Sequence, residues 1–139
     1  MADVLPTQIQ LEIVTPDRHV VHESVNSVTI PGKNGYLGIL PGHAPLLSEL
    51  RTGEVSYARG EAAHYLAVSW GFAEVLPTRV IILVQTAERA EEIDVERAER
   101  ALGRAEERLN KLSDPKIDAE RARADYEKAL ARLQAARRA

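Results

Sequence analysis

Residues 80–102, VIILVQTAERAEEIDVERAERAL, contain the change of pattern that decides the fold. Before about Glu88, apolar residues tend to alternate with polar ones, which is the period of a half-buried strand. After it, the chain is rich in Ala, Leu, Glu and Arg, and this composition favours helix. We therefore predict an α+β fold in two parts, a β domain at residues 1–88 and a helical domain at residues 89–139.

The β half is divided into short segments by turn residues. Its alternation is clearest at residues 8–13, QIQLEI, where Ile9, Leu11 and Ile13 would share one face. Glycine and proline turn signals occur at residues 16–17, 32–35, 41–42, 52–53, 60 and 77–78. Short strands between closely spaced turns favour a sandwich or a barrel.

The helical half carries two stripes of apolar residues with helical spacing. The first consists of Ala98, Ala101, Leu102, Ala105, Leu109 and Leu112, and the second of Ala122, Tyr126, Ala129, Leu130 and Leu133. Between them we predict a turn in which Asp114 is the N-cap of the second helix and Pro115 its first residue. The pattern predicts an antiparallel two-helix hairpin. Its alanine-rich stripes bury little area, so we expect a hairpin that can detach from the β domain.

Composition excludes several classes of function. The net charge of -3 gives no reason to expect a nucleic acid partner. The absence of cysteine rules out disulfides, thiolate metal sites and cysteine nucleophiles. The sequence shows neither the pattern of a signal peptide nor an apolar run of about 18 residues, so we expect the chain to be made and used in the cytosol.

The sequence offers no convincing catalytic or metal-binding residues. His19 and His22 stand three apart in a predicted strand, so they should point to opposite faces and form a poor metal pair. The sequence contains no phosphate-binding G-x-x-x-x-G-K-[ST] loop and no nucleophile elbow. We therefore predict no catalytic residue, no metal and no resident cofactor.

One long motif, GYLGILPGHAPLL at residues 35–47, resembles the signature loop of the epsilon subunits of bacterial F-type ATP synthase. The segments VTPD at 14–17, FAEV at 72–75 and AERA at 87–90 match the same family in the same order. The resemblance covers essentially the whole chain. It implies a non-catalytic subunit with an antiparallel β-sandwich followed by an antiparallel two-helix hairpin.

The same resemblance implies a rotor subunit of the central stalk, which links the gamma subunit to the membrane c-ring and couples proton translocation to ATP synthesis. It implies that the extended hairpin contacts the alpha and beta subunits and slows ATP hydrolysis. Since the sequence starts without a basic presequence, we expect a peripheral protein on the cytoplasmic face of a bacterial plasma membrane. The competing hypothesis is a free-standing β-sandwich binding module whose helical hairpin recruits an unrelated partner.

The resemblance implies contact loops for the c-ring and the stalk. They contain Asn34, Tyr36, Pro41, Gly42 and His43. Pro41 and Gly42 pre-set the backbone of the loop that also contains His43, and a preformed loop is a good docking surface. A purely structural turn is the alternative interpretation.

A regulatory nucleotide site is implied at the head of the hairpin. The matching residues are Glu88, Ile93, Asp94, Arg97 and Ala98, with Lys128 and Arg132 on the second helix. Asp94 can cap the first helix or accept a hydrogen bond from an adenine amine. Lys128 stands where ATP-binding members have arginine, and lysine loses the planar fork that binds phosphate at two points. We therefore expect weakened or absent ATP binding, and a capped, salt-bridged helix is the alternative.

Trp70 departs from the family pattern, which usually has a second small residue at this position. A bulky ring there needs extra space or a partner surface. An exposed ring would indicate an interface, and a buried ring would indicate a repacked core.

Overall fold

The computed structural model describes residues 5–139. Eight strands come first: β1 Ile9–Val14, β2 His19–Val25, β3 Ser27–Gly32, β4 Gly35–Ile39, β5 Leu46–Leu50, β6 Gly53–Arg59, β7 Ala62–Leu76 and β8 Arg79–Arg89. A short 3-10 helix, Ala90–Glu92, and two α-helices, α1 Val95–Leu109 and α2 Ala119–Ala136, follow. The predicted fold class is confirmed.

The strands form a sheet that folds over itself into a sandwich. β7 has 15 residues, and its first half pairs with β6 while its second half pairs with β5. β1 and β2 extend the sheet beyond β8, and β4 forms the opposite edge beside β3. Among the described strands, every pair is antiparallel except β1 with β8, which run parallel. This pair joins the first strand to the last and brings both ends of the β domain together.

The core of the sandwich follows the alternation in the sequence. Ile9, Leu11 and Ile13 are fully buried, while Gln10 between them is exposed. The other strands add large aliphatic side chains to the same cluster, whose members all come from residues 9–87. The core therefore closes without any side chain from the hairpin.

The first helix begins where the sequence predicts, and the second does not. Asp94 is the N-cap of α1, and its carboxylate accepts from the Arg97 N–H at 3.1 Å. The Asp114 carboxylate instead accepts from the Lys116 N–H at 2.9 Å within a turn, and the N-cap of α2 is Asp118. The predicted cap at Asp114 is wrong because its side chain closes a local turn that competes with helix.

The turn between the helices is longer than predicted. α1 ends at Leu109, so Leu112 lies beyond the helix and is 42% exposed, although the first apolar stripe included it. Pro115, predicted as the first residue of the second helix, also lies in this turn. α2 begins at Ala119 because the Asp118 carboxylate accepts a backbone N–H of its first turn at 3.2 Å.

The hairpin rests on the sandwich through α2. This helix lies against β6 and β7, and α1 packs against α2. The contact consists of small residues, here called the alanine cluster: Ala67, Ala90, Ile93, Ala131 and Ala135, with Tyr65 and Ala136 at its margin. Because an alanine side chain is a single methyl group, this contact removes much less apolar surface from water than the sandwich core does.

A bulge in β2 changes the arrangement of the two histidines. Val20 and Val21 are both buried, and the pairing of β1 with β2 shifts at this point. His19 and His22 therefore lie on one face, together with Glu12, which pairs with His22. The predicted opposite orientation is wrong because the extra residue of a bulge interrupts alternation. Within residues 5–139, no three His, Asp or Glu side chains are arranged to hold a metal ion.

Candidate functional site

The outer face of the sandwich carries two exposed aromatic rings of β7. Trp70 is 47% exposed and Phe72 is 43% exposed, because the alternate residues of this strand fill the core. Leu83 of β8 pairs with Phe72, and Leu47 lies on the same side of the neighbouring β5. Both leucines are more than half exposed. We call Leu47, Trp70, Phe72 and Leu83 the aromatic face.

Trp70 is held in place by its neighbours. Its ring meets Phe72 edge to face, with 5.4 Å between ring centroids. Its indole N–H donates to Oε1 of Glu49 at 3.2 Å, and Glu49 also forms an ion pair with Lys33 at 3.5 Å. The ring needs no extra space in the core because it lies outside it. An exposed and oriented tryptophan indicates an interface.

Gly71 lets β7 and β8 approach closely beneath the aromatic face. A Cβ at this position would lie 1.9 Å from the carbonyl oxygen of Leu83, which is part of the neighbouring backbone. The sequence therefore places a glycine between two large outward-facing rings for a steric reason. A groove of about 330 Å³ runs beside the rings, with Pro16 at its margin.

The predicted contact loops lie at the two ends of β4, which is the edge strand. Asn34 lies in the turn before β4, and Tyr36, 49% exposed, is in the strand itself. Pro41 and Gly42 form the turn after β4, and His43 follows them. All five residues therefore lie along one edge of the sandwich, with Asn34 and His43 beyond opposite ends of the strand.

Hydrogen bonds hold this edge in shape. Gly42 has a φ of 86°, a conformation that favours glycine, and its N–H donates to the Pro77 carbonyl at 2.7 Å. The Tyr36 hydroxyl accepts from the Glu54 N–H at 3.1 Å, and the Arg51 guanidinium lies 5.8 Å from the centroid of the Tyr36 ring. The edge is therefore preformed.

Three of the seven predicted nucleotide-binding residues lie together. The Arg132 guanidinium faces Glu88: Nε lies 2.8 Å from Oε1, and Nη2 donates to Oε2 at 3.3 Å. Lys128 lies one turn earlier on α2, and with these two residues it lines a cavity of about 150 Å³. Ligand pockets typically measure roughly 300 Å³ or more, so this cavity alone is small for a nucleotide.

A second cavity, of about 260 Å³, brings further basic side chains to Lys128 and Arg132. Arg104 and Arg108 of α1 also line it, so its lining contains four cations and one carboxylate, Asp125. Arg108 pairs with Asp125 at 3.8 Å. We call Arg104, Arg108, Lys128 and Arg132 the basic cluster. The sequence analysis missed its two α1 members, because the register of α1 against α2 is not visible in the sequence.

The other four predicted nucleotide-binding residues lie at the head of the hairpin. Asp94 caps α1, and Arg97 is exposed in its first turn. Ile93 is buried in the alanine cluster, and Ala98 is fully buried. None of these four residues lines either cavity of the basic cluster.

A contact at the end of α2 was not predicted. Nε of Arg138 lies 3.1 Å from both carboxylate oxygens of Glu54 on β6. Its guanidinium also lies 5.1 Å from the centroid of the Tyr65 ring. Arg138 and Glu54 are 84 residues apart, so no local pattern could have indicated this pair.

The junction between sandwich and hairpin is tied to the sandwich by polar contacts. Arg89, the last residue of β8, donates to the Tyr57 hydroxyl at 3.2 Å and to the Val20 carbonyl at 3.1 Å. Burial raises the pKa of Tyr57, so its hydroxyl stays neutral. Arg18 pairs with Glu92 of the 3-10 helix at 3.1 Å. The pivot of any hairpin movement therefore lies after Arg89.

Two family models together match nearly the whole chain. The model of the β-sandwich domain of the ATP synthase delta/epsilon chain matches residues 8–90, and the model of its long α-helix domain matches residues 91–137. The chain belongs to the delta/epsilon chain family of ATP synthase. The family predicted from the signature loop is confirmed.

Individual relatives agree with this assignment. The ATP synthase epsilon chain of Koribacter versatilis is 61% identical over 72% of this chain and 70% of its own length. ATP synthase epsilon chain 2 of Syntrophotalea carbinolica is 45% identical over 94% of this chain and 95% of its own. The chain is thus a non-catalytic subunit of ATP synthase.

Solved structures show the same fold. A chain in the Euglena gracilis mitochondrial ATP synthase structure, described as OSCP/F1/c-ring, is 28% identical with a TM-score of 0.83, covering 96% of this chain and 84% of its own. A chain in the Tetrahymena thermophila mitochondrial ATP synthase is 13% identical with a TM-score of 0.57, covering 94% and 99%, and shares the fold. Among residues 5–139, no helix is both long and apolar enough to cross a membrane.

Proposed function

We propose that this chain is a rotor subunit of the central stalk that links the gamma subunit to the c-ring and couples proton translocation to ATP synthesis. Family membership supports a place in ATP synthase, and the similar Euglena chain belongs to an assembly described as containing F1 and the c-ring. The aromatic face carries the proposal, because it leaves four large apolar side chains uncovered on a sandwich whose core is already closed.

The aromatic face is the proposed docking surface for the gamma subunit. Tryptophan and other large side chains at the centre of an interface contribute most of the binding energy. The hydrogen bond to Glu49 and the contact with Phe72 fix the Trp70 ring before binding, which lowers the entropy lost on association. The groove beside Pro16 gives an apolar side chain of the partner a place to insert.

The β4 edge is the proposed contact with the c-ring. Its exposed Tyr36 and Leu37, which point to opposite faces of the strand, and the exposed Leu40 of the following turn make this edge an apolar strip with side chains on both faces. The fixed turn at Gly42 keeps that strip in one shape. Because the β4 edge and the aromatic face are separate surfaces, one sandwich can bridge two rotor components.

The hairpin is the proposed brake on ATP hydrolysis. Most of its arginines are exposed in the docked form, including Arg97, Arg100 and Arg123. Once the helices extend along the stalk, such side chains can meet carboxylates of the alpha and beta subunits. The small alanine cluster supports this role, since a contact of that size can be broken and re-formed.

ATP is proposed as a regulatory ligand of the docked hairpin, with no resident cofactor. The support is the basic cluster, whose four cations line one cavity that holds a single carboxylate, Asp125, and whose member Arg132 also pairs with Glu88. A ligand that binds only the docked form raises its population. Lys128→Arg restores a planar fork, so we expect ATP to bind about fivefold more tightly in titration calorimetry. The matched change Lys116→Arg, in the turn between the helices, should leave the affinity for ATP unchanged. If Lys128→Arg and Lys116→Arg bind ATP with equal affinity, this site is contradicted.

We propose that the chain acts on the cytoplasmic face of a bacterial plasma membrane and is attached to it only through the complex. The bacterial origin of the two quoted epsilon-chain relatives supports this location. Membrane-free extracts of cells that lack the membrane sector should contain the chain bound to the catalytic head.

Binding to the cognate gamma subunit tests the docking assignment. Trp70→Ser should weaken binding by roughly 30-fold in a surface-based or calorimetric measurement, because about 2 kcal/mol is typical of a central tryptophan. Val95→Ser is the matched control, since Val95 is a 43% exposed apolar residue on the hairpin. If both variants bind like the unchanged chain, the gamma subunit docks elsewhere.

A further inference from the structure

Two ion pairs cross between the sandwich and α2. Arg138 reaches Glu54 of β6, and Arg132 reaches Glu88 of β8. The carboxylates are largely shielded: the Glu54 side chain is 13% exposed and the Glu88 side chain is 35% exposed. Charge pairs that are partly removed from water are screened less by salt than fully exposed pairs.

The two pairs differ from the other ion pairs of the hairpin. Arg108 and Asp125 join α1 to α2, so their pair can survive when the hairpin moves as a unit. The pairs of Arg132 and Arg138 must break when α2 leaves the sandwich. Arg138 has a further contact that would be lost, since its guanidinium lies over the ring of Tyr65 on β7.

The apolar part of this contact is small. Its buried members are four alanines and Ile93, and the two ion pairs lie at positions 132 and 138, around the buried Ala135. Two electrostatic contacts therefore accompany a small apolar contact in holding α2 on the sandwich. In the sandwich core, by contrast, aliphatic burial dominates.

We propose that Glu54–Arg138 and Glu88–Arg132 form a two-point electrostatic latch that keeps the hairpin docked. The latch also engages the guanidinium groups of two arginines of α2, which become free to pair with acidic partners only after release. The latch regulates the proposed brake, so its effect on ATP hydrolysis rests on that proposed function. The docking of the hairpin on the sandwich, by contrast, is a property of this chain alone.

Thiol labelling of the full chain tests the latch. The chain contains no cysteine, so Ala135→Cys introduces a single thiol at a fully buried position of the alanine cluster. Labelling of this thiol requires opening, and its rate therefore follows the open population. In this background, Glu54→Gln and Arg138→Gln should each raise the labelling rate about fivefold.

Matched controls separate the latch from general charge effects. Arg137→Gln changes the neighbouring arginine, which lines a surface cavity together with Glu54 and Arg138 but forms no ion pair among the described residues. Glu74→Gln changes an exposed carboxylate of β7. Both should label at the unchanged rate. Combining Glu54→Gln with Arg138→Gln should label no faster than Arg138→Gln alone, because both residues belong to one ion pair and only Arg138 also contacts Tyr65.

Two outcomes would overturn the latch. The latch variants could label at the rate of the control variants, or the labelling rate of the double variant could increase by the full product of the two single increases. The fluorescence of Trp70, the only tryptophan, reports in parallel that the sandwich stays folded. Since no catalytic head is present, a failure of the latch is distinguished from a failure of the brake. Raising the salt concentration from about 0.05 to 0.5 M should speed labelling of the chain with an unchanged latch more than labelling of the double variant, which keeps only the Glu88–Arg132 pair.

Discussion

The sandwich and the hairpin bury their residues in different ways. The sandwich encloses a continuous cluster of Ile, Leu and Val from its strands, many of them fully buried. The hairpin contact relies on alanines and on two ion pairs with the sandwich. Both parts belong to one chain of 139 residues, and the proposed function gives them separate tasks.

In the proposed function, this difference separates a permanent anchor from a reversible element. Burial of large aliphatic side chains stabilises by roughly 1.5–3 kcal/mol for each, while an alanine methyl contributes less than half of that. Opening the sandwich is therefore a global unfolding event. Undocking the hairpin involves a few kcal/mol, which is the range that ligands and partners can shift.

The largest expected effect is in the sandwich core. Ile82 is fully buried, and Ile82→Ala should lower the free energy of unfolding by about 3 kcal/mol, through lost burial and the cavity left behind. Urea unfolding followed by Trp70 fluorescence measures this change. Leu102→Ala, at a half-buried position of α1, should leave that transition within about 0.5 kcal/mol of the original. Equal effects would remove the distinction between the two parts.

Replacing a glycine by alanine in the sandwich and another in the hairpin sharpens the comparison between these two parts. Gly71→Ala places a methyl group against the backbone of β8, and we expect a loss of roughly 2–3 kcal/mol in the same urea experiment. The aromatic face should shift with it, so binding to the gamma subunit should weaken as well. An unchanged transition would show that the strands can separate without cost.

The helix caps come next in size. The Asp118 carboxylate accepts the Arg121 N–H at 3.2 Å, and Asp118→Ala should destabilise α2 by about 1 kcal/mol. Hydrogen exchange of the hairpin amides should speed up by roughly fivefold, while exchange in the sandwich stays the same. Asp114→Ala is the matched control, because that carboxylate closes a turn outside the helix. Faster exchange in both parts would contradict their independence.

Gly103→Ala should give the smallest effect, and it has the opposite sign. Gly103 lies within α1, and a Cβ there would meet no atom within 4 Å. We expect a gain of up to about 1 kcal/mol in helix stability, seen as slower hydrogen exchange in α1. The thiol labelling rate at position 135 should not change, because α2 carries the docking contact. A slower labelling rate would link α1 directly to docking.

Local patterns predicted the elements of this fold well. The alternation at residues 8–13 indicated β1 correctly, and of the two roles offered for Asp94, helix cap or adenine ligand, the structure shows the cap of α1. Two predictions failed for local reasons. The cap of α2 was placed at Asp114 instead of Asp118, because the two residues are chemically the same capping residue. The orientation of the histidines in β2 was wrong because the bulge at Val20–Val21 leaves no signal in a sequence of β-branched residues. Whether Asp114 or Asp118 caps α2 depends on which backbone N–H groups the folded chain brings near each carboxylate.

The candidate surfaces were less predictable because they depend on distant contacts. The sequence indicated that Trp70 needed explanation, but both faces of β7 carry apolar residues, so its exposure depends on which face the other strands cover. The Glu54–Arg138 pair joins β6 to the end of α2. Whether the seven residues of the predicted nucleotide site and the loops at the β4 edge bind their proposed partners stays a prediction.

The central claim is that the sandwich anchors and the hairpin brakes. It is tested by titrating an ATP-hydrolysing catalytic head that lacks its epsilon subunit with the full chain and with a version ending at Ala90. The shorter version keeps Arg89 and the whole sandwich core, which contains no hairpin side chain. We expect both versions to bind and only the full chain to slow hydrolysis. Equal slowing by both versions, or none by either, would contradict the claim.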